Sequence, residues 1–353
     1  MKAAVFHGAK SGLKLEEIPV PRPAADEVRV RVAACGVCHT DLHYIDHGVP
    51  TRHDPPLVLG HEAAGWVDAI GERVEGFAKG RPVLVPAVLT CGACTLCRTG
   101  RANICEHMQM LGNHIHGAFA EYVCVPARDL VPIPEGLDPV EASIVADAVT
   151  TAYHAVTQRA LVRAGDTVAV FGCGGVGLSA VQFAAIAGAH VIAVDLDEKK
   201  LELAKLLGAA DSVCARSEPD AAKSIKKRTN GGVDRALECI GNAATIQAAH
   251  ASLRPGGRLC VVGFCDRPVE LPLGKIMFTE QEVVGSLGCR PVDFPRVLGM
   301  AASGRFKLAP LITARRPLAD IQLALDDLRA GRSVRSVILM PDAGSARTPS
   351  RAG

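Results

Sequence analysis

Thiols, imidazoles and carboxylates crowd one short stretch of this chain, Cys35-Gly36-Val37-Cys38-His39-Thr40-Asp41-Leu42-His43 followed after a loop by Leu59-Gly60-His61-Glu62. Thiolate and imidazole are the ligands that a borderline-soft ion such as Zn²⁺ prefers. Cys38 and His61 are too far apart to share one helical face, so a tertiary fold has to bring them together. Taken singly, Cys38 reads equally as a small buried hydrophobe and His61 as a satisfied core histidine. A second cluster, Cys91, Cys94, Cys97 and Cys105, has the spacing C-x2-C-x2-C-x7-C. Thiols at that density suit a closed tetrahedral zinc site, with Gly92 and Gly100 allowing tight turns. An iron–sulfur cluster uses similar spacing, and four free thiols are the plain alternative; zinc is the expectation. A closed site has no open coordination position, so it stabilises a loop and does no chemistry.

A third pattern concerns phosphate. Thr167-Val168-Ala169-Val170-Phe171 leads into Gly172-Cys173-Gly174-Gly175-Val176-Gly177, after which a helical run begins. A lone G-x-G-x-x-G is weak, but here it has a strand before it and a helix after it. Gly172 and Gly174 allow a tight turn and close approach of a pyrophosphate to the helix N-terminus, where free N–H groups and the dipole favour anions. Gly177 lets the helix pack on the sheet. The next strand, Val191 to Val194, ends at Asp195, placed to hydrogen-bond both ribose hydroxyls. A carboxylate there repels a 2′-phosphate, so NAD(H) is expected over NADP(H).

The elements that position these residues follow from periodicity. The 353 residues are enough for two domains, each with its own core. The first 34 residues alternate polar and apolar positions, as in Glu27-Val28-Arg29-Val30-Arg31-Val32, the period of half-buried strands. Ala64–Ala69, Pro82–Val85 and Glu121–Pro126 read as further strands, so the first 130 residues or so are mostly β. Near Asp138 the character changes, with Asp138 as a helix cap and Pro139 in the first turn. From Thr167 to Gly288, apolar strands (Val168–Phe171, Val191–Val194, Arg235–Glu238, Arg258–Gly263, Glu282–Gly285) alternate with helical segments, the pattern of a parallel sheet covered on both faces. Two helical pieces and a closing strand, Ser336–Met340, follow. The Ser-, Arg-, Ala- and Gly-rich tail from Asp342 is expected to be disordered.

Val168 to Val194 carries no Asp, Glu, Lys or Arg and is long enough to span a bilayer. Its glycines, with Gln182 and His190, fit strand, turn, helix and strand better. The charge balance, 39 basic against 37 acidic residues, argues against a nucleic-acid or membrane partner recruited by bulk electrostatics. Thirteen cysteines and no basic-plus-apolar leader point to a reducing cytoplasm, with thiols serving as ligands.

With the motif Gly60-His61-Glu62-Ala63-Ala64-Gly65, the four-cysteine lobe and the glycine turn, the chain resembles the medium-chain, zinc-dependent alcohol dehydrogenases over about residues 1–340. The resemblance implies an α/β fold in which a GroES-like β catalytic domain (residues 1–151) is interrupted by a Rossmann NAD-binding domain with a doubly wound parallel sheet (152–289). The chain then returns to the catalytic domain (290–341), leaving the tail 342–353. It implies two zinc ions per chain, one catalytic and one structural, with NAD(H) as cofactor. Cys38 and His61 become catalytic zinc ligands. The third ligand falls at Asp147, where many members have cysteine. The chain thus departs from the Cys₂His set that is the standard example for alcohol dehydrogenase. Asp41 would accept a hydrogen bond from the other nitrogen of His61 and fix its tautomer. Glu62 would stand beside the metal as a transient ligand. Thr40 would accept the alcohol proton and His43 would pass it to solvent. Val176 and Thr151 would pack on the nicotinamide, Lys200 would contact the adenosine ribose, and Arg335 would reach the pyrophosphate. The reaction implied is hydride transfer between an alcohol and the nicotinamide, in a homodimer or homotetramer.

Val85-Pro86-Ala87-Val88, Leu111-Gly112-Asn113, Val125-Pro126-Ala127-Arg128, Ala146-Asp147-Ala148-Val149-Thr150-Thr151 and Arg315-Arg316-Pro317-Leu318 resemble a bacterial subgroup, the 6-hydroxycyclohex-1-ene-1-carbonyl-CoA dehydrogenases. These imply a bulky or cyclic secondary alcohol, with a CoA thioester as one form. Rival readings on the same scaffold are a zinc-free quinone reductase, which the zinc-type residues oppose, and a cofactor-binding protein without turnover, which the intact Thr40 opposes.

Overall fold

The computed structural model describes residues 1–341, and the tail 342–353, expected to be disordered, lies outside the described residues. The chain forms two compact units. The first holds residues up to Asp147 together with Arg290–Ser303 and the described residues from Ile312 to Pro341; the second holds Ala148–Cys289 and Gly304–Leu311.

In the first unit the strands are β1 (Lys2–Phe6), β2 (Leu13–Glu17), β3 (Glu27–Gly36), β4 (Leu57–Val58), β5 (Glu62–Ile70), β6 (Pro82–Val85), β7 (Val88–Leu89), β8 (Gln109–Met110), β9 (Tyr122–Pro126) and β10 (Val131–Pro132). Short helices α1 (His39–Ile45), α2 (Thr95–Arg98) and α3 (Pro139–Ala142) lie between them. The main sheet runs β10-β6-β5-β3 and continues into two strands from the end of the chain, while β9 also pairs with β3. β3 is its centre, and its sequence explains why. Val28, Val30 and Val32 alternate into the core, and from Ala33 to Gly36 the strand is buried on both faces. Each fully buried valine contributes roughly 1.5–3 kcal/mol of transfer free energy. Asp138 caps α3 as expected, its Oδ1 accepting from Val140 N at 3.0 Å, with Pro139 at the first helical position.

The second unit alternates α4 (Ala148–His154), β11 (Thr167–Phe171), α5 (Gly175–Ile186), β12 (His190–Asp195), α6 (Glu198–Leu206), β13 (Asp211–Cys214), α7 (Ala221–Arg228), β14 (Val233–Glu238), α8 (Ala243–Ala251), β15 (Leu253–Val261), α9 (Leu273–Phe278) and β16 (Glu282–Gly285). Its six strands are all parallel, in the order β13-β12-β11-β14-β15-β16. The order reverses between β11 and β14, and ligands bind at the carboxyl ends of strands at such a switch point. The uncharged run from Val168 to Val194 is β11, α5 and most of β12, and no helix among the described residues is long and apolar enough to cross a membrane.

The chain returns through α10 (Phe294–Ala302), β17 (Ile312–Pro317), α11 (Ile321–Arg329) and β18 (Arg335–Leu339), and β18 pairs with β3. The sequence pattern does not announce β13 and β17. Both lie at sheet edges, where one flank meets solvent and polar residues replace the apolar run.

Candidate active site

β3 delivers the first site residue. Beyond Gly36 the chain turns at Cys38, the N-cap of α1, in an extended conformation (φ −120°, ψ 155°). Asp41 reaches back from the third helical position and its Oδ2 accepts from Cys38 N at 3.0 Å, which fixes the Cys38 backbone. The Cys38 thiol lies 3.7 Å from Thr40 Oγ1. His61 stands just before β5, and β5 pairs with β3 so that Glu62 faces Gly36. That register carries His61 and Glu62 to Cys38. Asp147 follows the turn Ser143–Ala146, whose last carbonyl accepts from Ala87 N at 3.3 Å. One donor atom from each of Cys38, His61, Glu62 and Asp147 lies within 4.8 Å of the others.

The polar atoms at this point are buried and under-satisfied. His61 Nε2 is 3.4 Å from Asp147 Oδ2, and Nδ1 is 3.6 Å from Asp41 Oδ1, both longer than a good hydrogen bond. His61 Nε2, Asp41 Oδ1 and both Glu62 carboxylate oxygens are buried without a hydrogen-bond partner among the described residues. Leaving such an atom unsatisfied costs about 1–3 kcal/mol, so gathering several at one spot calls for a cation. The electrostatics agree. Burial pushes the His61 pKa down, yet Asp41 and Asp147 outweigh it and lift the imidazole well above its ordinary value. Burial, with Asp147 and Asp41 adding to it, raises Glu62 to about 7 against the pull of Arg335 and His61. A metal ion competes for the lone pair that this field would otherwise protonate. Thiol, imidazole and carboxylate are donor types zinc takes, so these residues fit the ion.

The lobe is a different kind of site. Cys91 Sγ lies 3.4 Å from Cys105 Sγ and 3.9 Å from Cys97 Sγ, and Cys94 Sγ lies 3.8 Å from Cys105 Sγ. These spacings are far beyond the roughly 2.05 Å of a disulfide. A metal–sulfur bond of about 2.3 Å in a tetrahedron gives edges near 3.8 Å, which the cluster matches. An iron–sulfur cluster spreads its thiolates over two or more irons and holds some of them further apart, whereas here all four sulfurs lie within 4.8 Å of one another, so the geometry suits one ion. Ala93 N and Cys94 N donate to Cys91 Sγ at 3.4 and 3.3 Å and lower that thiol to about 6. Asp129, which no motif flags, supports the lobe from outside. Its Oδ1 accepts from Thr90 N at 3.1 Å and Thr90 Oγ1 at 3.0 Å, pinning the residue before Cys91. Its only signal in the sequence is an acidic residue between two apolar segments.

The glycine turn follows β11. Gly172 has φ +92°, and a Cβ on it would meet Ile240 Cγ1 at 2.5 Å. A Cβ on Gly177 would meet the Gly172 carbonyl oxygen at 1.7 Å, so α5 can pack this closely only without a side chain there. At Gly174 a Cβ would meet nothing within 4 Å, and Gly174 caps α5 with no side-chain hydrogen bond, followed by Gly175 and Val176. Open space before unsatisfied helical N–H groups fits a pyrophosphate. Asp195 closes the neighbouring strand. Its Oδ2 accepts from Cys173 N at 2.7 Å and Oδ1 from Asp197 N at 3.0 Å, each oxygen keeping a further lone pair for a ribose hydroxyl. Burial raises the Cys173 thiol, with Asp195 adding to the shift and Lys200 opposing it, which sets Lys200 within electrostatic reach of the turn.

The remaining expected residues divide between the units. Thr151 on α4 and Val176 on α5 are half-buried on helices that pack together in the second unit. His43 lies on α1, its Nδ1 3.1 Å from His47 Nδ1. Arg335 is 4% exposed and engaged within the first unit, where it donates to the Val37 carbonyl at 2.9 Å and lies 3.3 Å from Glu62 Oε1.

Known proteins carry the same two-part plan. Residues 24–135 match the alcohol dehydrogenase GroES-like domain, and residues 175–303 match the zinc-binding dehydrogenase family. An alcohol dehydrogenase of Geobacillus stearothermophilus is 35% identical over 343 residues, covering 97% of this chain and all of that protein. A sorbitol dehydrogenase of Bacillus subtilis is 37% identical over 332 residues, covering 92% of this chain and 93% of that one. Among solved structures, the alcohol dehydrogenase of Thermus sp. ATN1 superposes with a TM-score of 0.90 at 32% identity, over 97% of this chain and all of that one. With both halves matched and likeness running nearly end to end, the chain belongs to the medium-chain, zinc-dependent alcohol dehydrogenase family.

Proposed function

We propose that the protein uses two zinc ions and NAD(H) to transfer a hydride between a bulky or cyclic secondary alcohol, including a CoA thioester of one, and the nicotinamide. The observation that carries this reading is the convergence of Cys38, His61, Glu62 and Asp147 around a buried, unsatisfied imidazole nitrogen. Cys38, His61 and Asp147 hold the catalytic zinc, and Glu62 stands beside it as an exchange ligand. The ion supplies Lewis acidity that brings the pKa of an alcohol toward neutrality. Thr40 Oγ1, next to the Cys38 thiol, accepts the alcohol proton, and His43 hands it toward solvent. Asp41 holds the His61 ring from its Nδ1 side. Thr151 and Val176 contact the nicotinamide, and Lys200 the adenosine ribose. Arg335, whose Nη1 is held by the Val37 carbonyl and Glu62 while its Nε has no hydrogen-bond partner among the described residues, contacts the pyrophosphate. A homo-oligomer belongs to the same reading. The outer strand β16 ends its sheet, and Met277 and Phe278 just before it are 74% and 85% exposed; light scattering should find more than one chain per particle.

Metal analysis with a cofactor-reduction assay over a panel of alcohols tests the reading. Two zinc ions per chain and NAD⁺-dependent oxidation of a cyclic secondary alcohol are expected. A metal-free protein that reduces quinones, or a metal-loaded one that turns over no alcohol, refutes it.

Two substitutions separate the parts. Cys97→Ser breaks the lobe tetrahedron, so zinc should fall to about one per chain and the melting temperature should drop by several degrees, since structural zinc contributes folding free energy directly. Iron in the parent lobe, or no metal there, counts against it. Asp195→Ser removes the carboxylate that repels a 2′-phosphate and also frees Cys173 N, so NAD⁺ should bind about tenfold more weakly while NADP⁺ use rises. A parent protein that already prefers NADP⁺ sinks the assignment.

A further inference from the structure

β3 lies between β5 and β18 in the main sheet. Gly36 on β3 faces Glu62 on β5 and Val337 on β18. Glu62 and Arg335 therefore start from strands that are not neighbours, yet Glu62 Oε1 is 3.3 Å from Arg335 Nη1. The carboxylate reaches its partner by passing over the strand between them. A Cβ on Gly36 would sit 2.1 Å from Glu62 Oε2 and 3.1 Å from its Cβ and Cδ. Gly36 is in regular strand conformation, so what its position requires is room and not backbone freedom.

We propose that Gly36 is a positioning residue for the metal centre, its bare Cα being the pass over which Glu62 crosses to Arg335. The crossing holds the Glu62 carboxylate beside Cys38, His61 and Asp147 without letting it bind as a permanent ligand. The inference rests on the zinc assignment above. Glu62 is fully buried and Arg335 nearly so, and no other cationic side chain pairs with Glu62 among the described residues. A methyl group at residue 36 displaces the carboxylate from Arg335, and the nearest remaining demand for negative charge is the ion itself. Glu62 then becomes a fourth protein ligand and fills the position an alcohol needs.

Gly36→Ala in the full-length protein tests this in two ways. Release of the catalytic zinc to a colorimetric chelator should slow by about tenfold or more, and kcat/KM should fall by a similar factor. In Gly36→Ala/Glu62→Ala the carboxylate is gone, so zinc release should match that of Glu62→Ala alone. A crystal structure of Gly36→Ala should show Glu62 moved away from Arg335. That readout holds whether or not the parent binds zinc at Cys38, so failure of the zinc reading and failure of the Gly36 inference remain distinct. Zinc release at the parent rate or faster, or Glu62 still paired with Arg335, overturns the proposal. If Gly36→Ala does not fold, the double variant should; a double variant that also fails to fold shows that the crossing is not what Gly36 serves.

Discussion

Replacing Asp147 by alanine should remove one of two zinc ions per chain and lower kcat/KM by about a thousandfold or more. The Lewis-acid contribution of a bound metal is several kcal/mol, and each 1.36 kcal/mol is a factor of about ten in rate. The charge count explains why this residue matters. On the proposed assignment, Cys38 as thiolate and Asp147 as carboxylate would offset the 2+ ion, with His61 neutral, the same count that two thiolates and a histidine give. Without Asp147 the protein-held set drops to a thiolate and an imidazole with a net positive charge in a buried place. Glu62 does not substitute while it stays paired with Arg335. The loss should be local. Asp147 lies at the end of a turn fixed through backbone, Ala87 N donating to Ala146 O, and that bond survives the substitution. The lobe zinc should stay, and the melting temperature should change far less than in Cys97→Ser. Asp147→Cys, which restores a thiolate donor, should recover zinc and part of the activity. An Asp147→Ala protein that keeps two zinc ions and turns over alcohol normally would falsify the ligand assignment.

Part of the candidate site was legible in the sequence because it belongs to short, local patterns, whereas Asp147 was reached only through the family resemblance. The lobe spacing, the glycine turn between β11 and α5, and Asp195 at the end of β12 are set by residues a few positions apart. The metal-type residues Cys38 and His61 were legible as types, but their meeting depends on the register of β3 against β5, which no local pattern encodes. The same limit hid the reach of Glu62 to Arg335, since 273 residues separate them in the chain (335 minus 62) and the contact exists only because β18 returns to β3. Asp129 escaped for a related reason: its partner Thr90 lies 39 residues away, across a turn that reads as ordinary loop. Edge strands β13 and β17 escaped because a strand with one solvent flank does not need the apolar run that marks β11 or β14.

Substrate size should follow from Ala87, with the parent protein preferring cyclohexanol-like alcohols to ethanol and Ala87→Phe flattening or reversing that order. In many primary-alcohol members of this family an aromatic ring a few residues before the first lobe cysteine narrows the site, and Ala87 stands at the matching place in Val85-Pro86-Ala87-Val88-Leu89. Its backbone is pinned beside the metal residues, N donating to Ala146 O at 3.3 Å and O accepting from Leu111 N at 3.1 Å. A methyl group there takes up far less room than a ring would. Two aromatic residues that could build a wall elsewhere are already committed. Phe119 is fully buried against Gly60, and the Trp66 ring lies under the Arg31 guanidinium, 4.6 Å from its centroid. Each buried methylene is worth roughly 0.8 kcal/mol, so the four additional carbons of cyclohexanol are worth about 3 kcal/mol, or a factor of about a hundred in kcat/KM over ethanol. Forcing a phenyl ring into a position that is only 5% exposed also risks overpacking, about 1–3 kcal/mol of stability. The quantity to measure is therefore the ratio of kcat/KM for the two alcohols within each protein, because the folded fraction cancels from it. A ratio near a hundred in the parent and near one or below in Ala87→Phe is the expected pair. A parent protein that turns over ethanol as well as cyclohexanol rules the assignment out, and an unchanged ratio in Ala87→Phe shows that some other residue forms the wall.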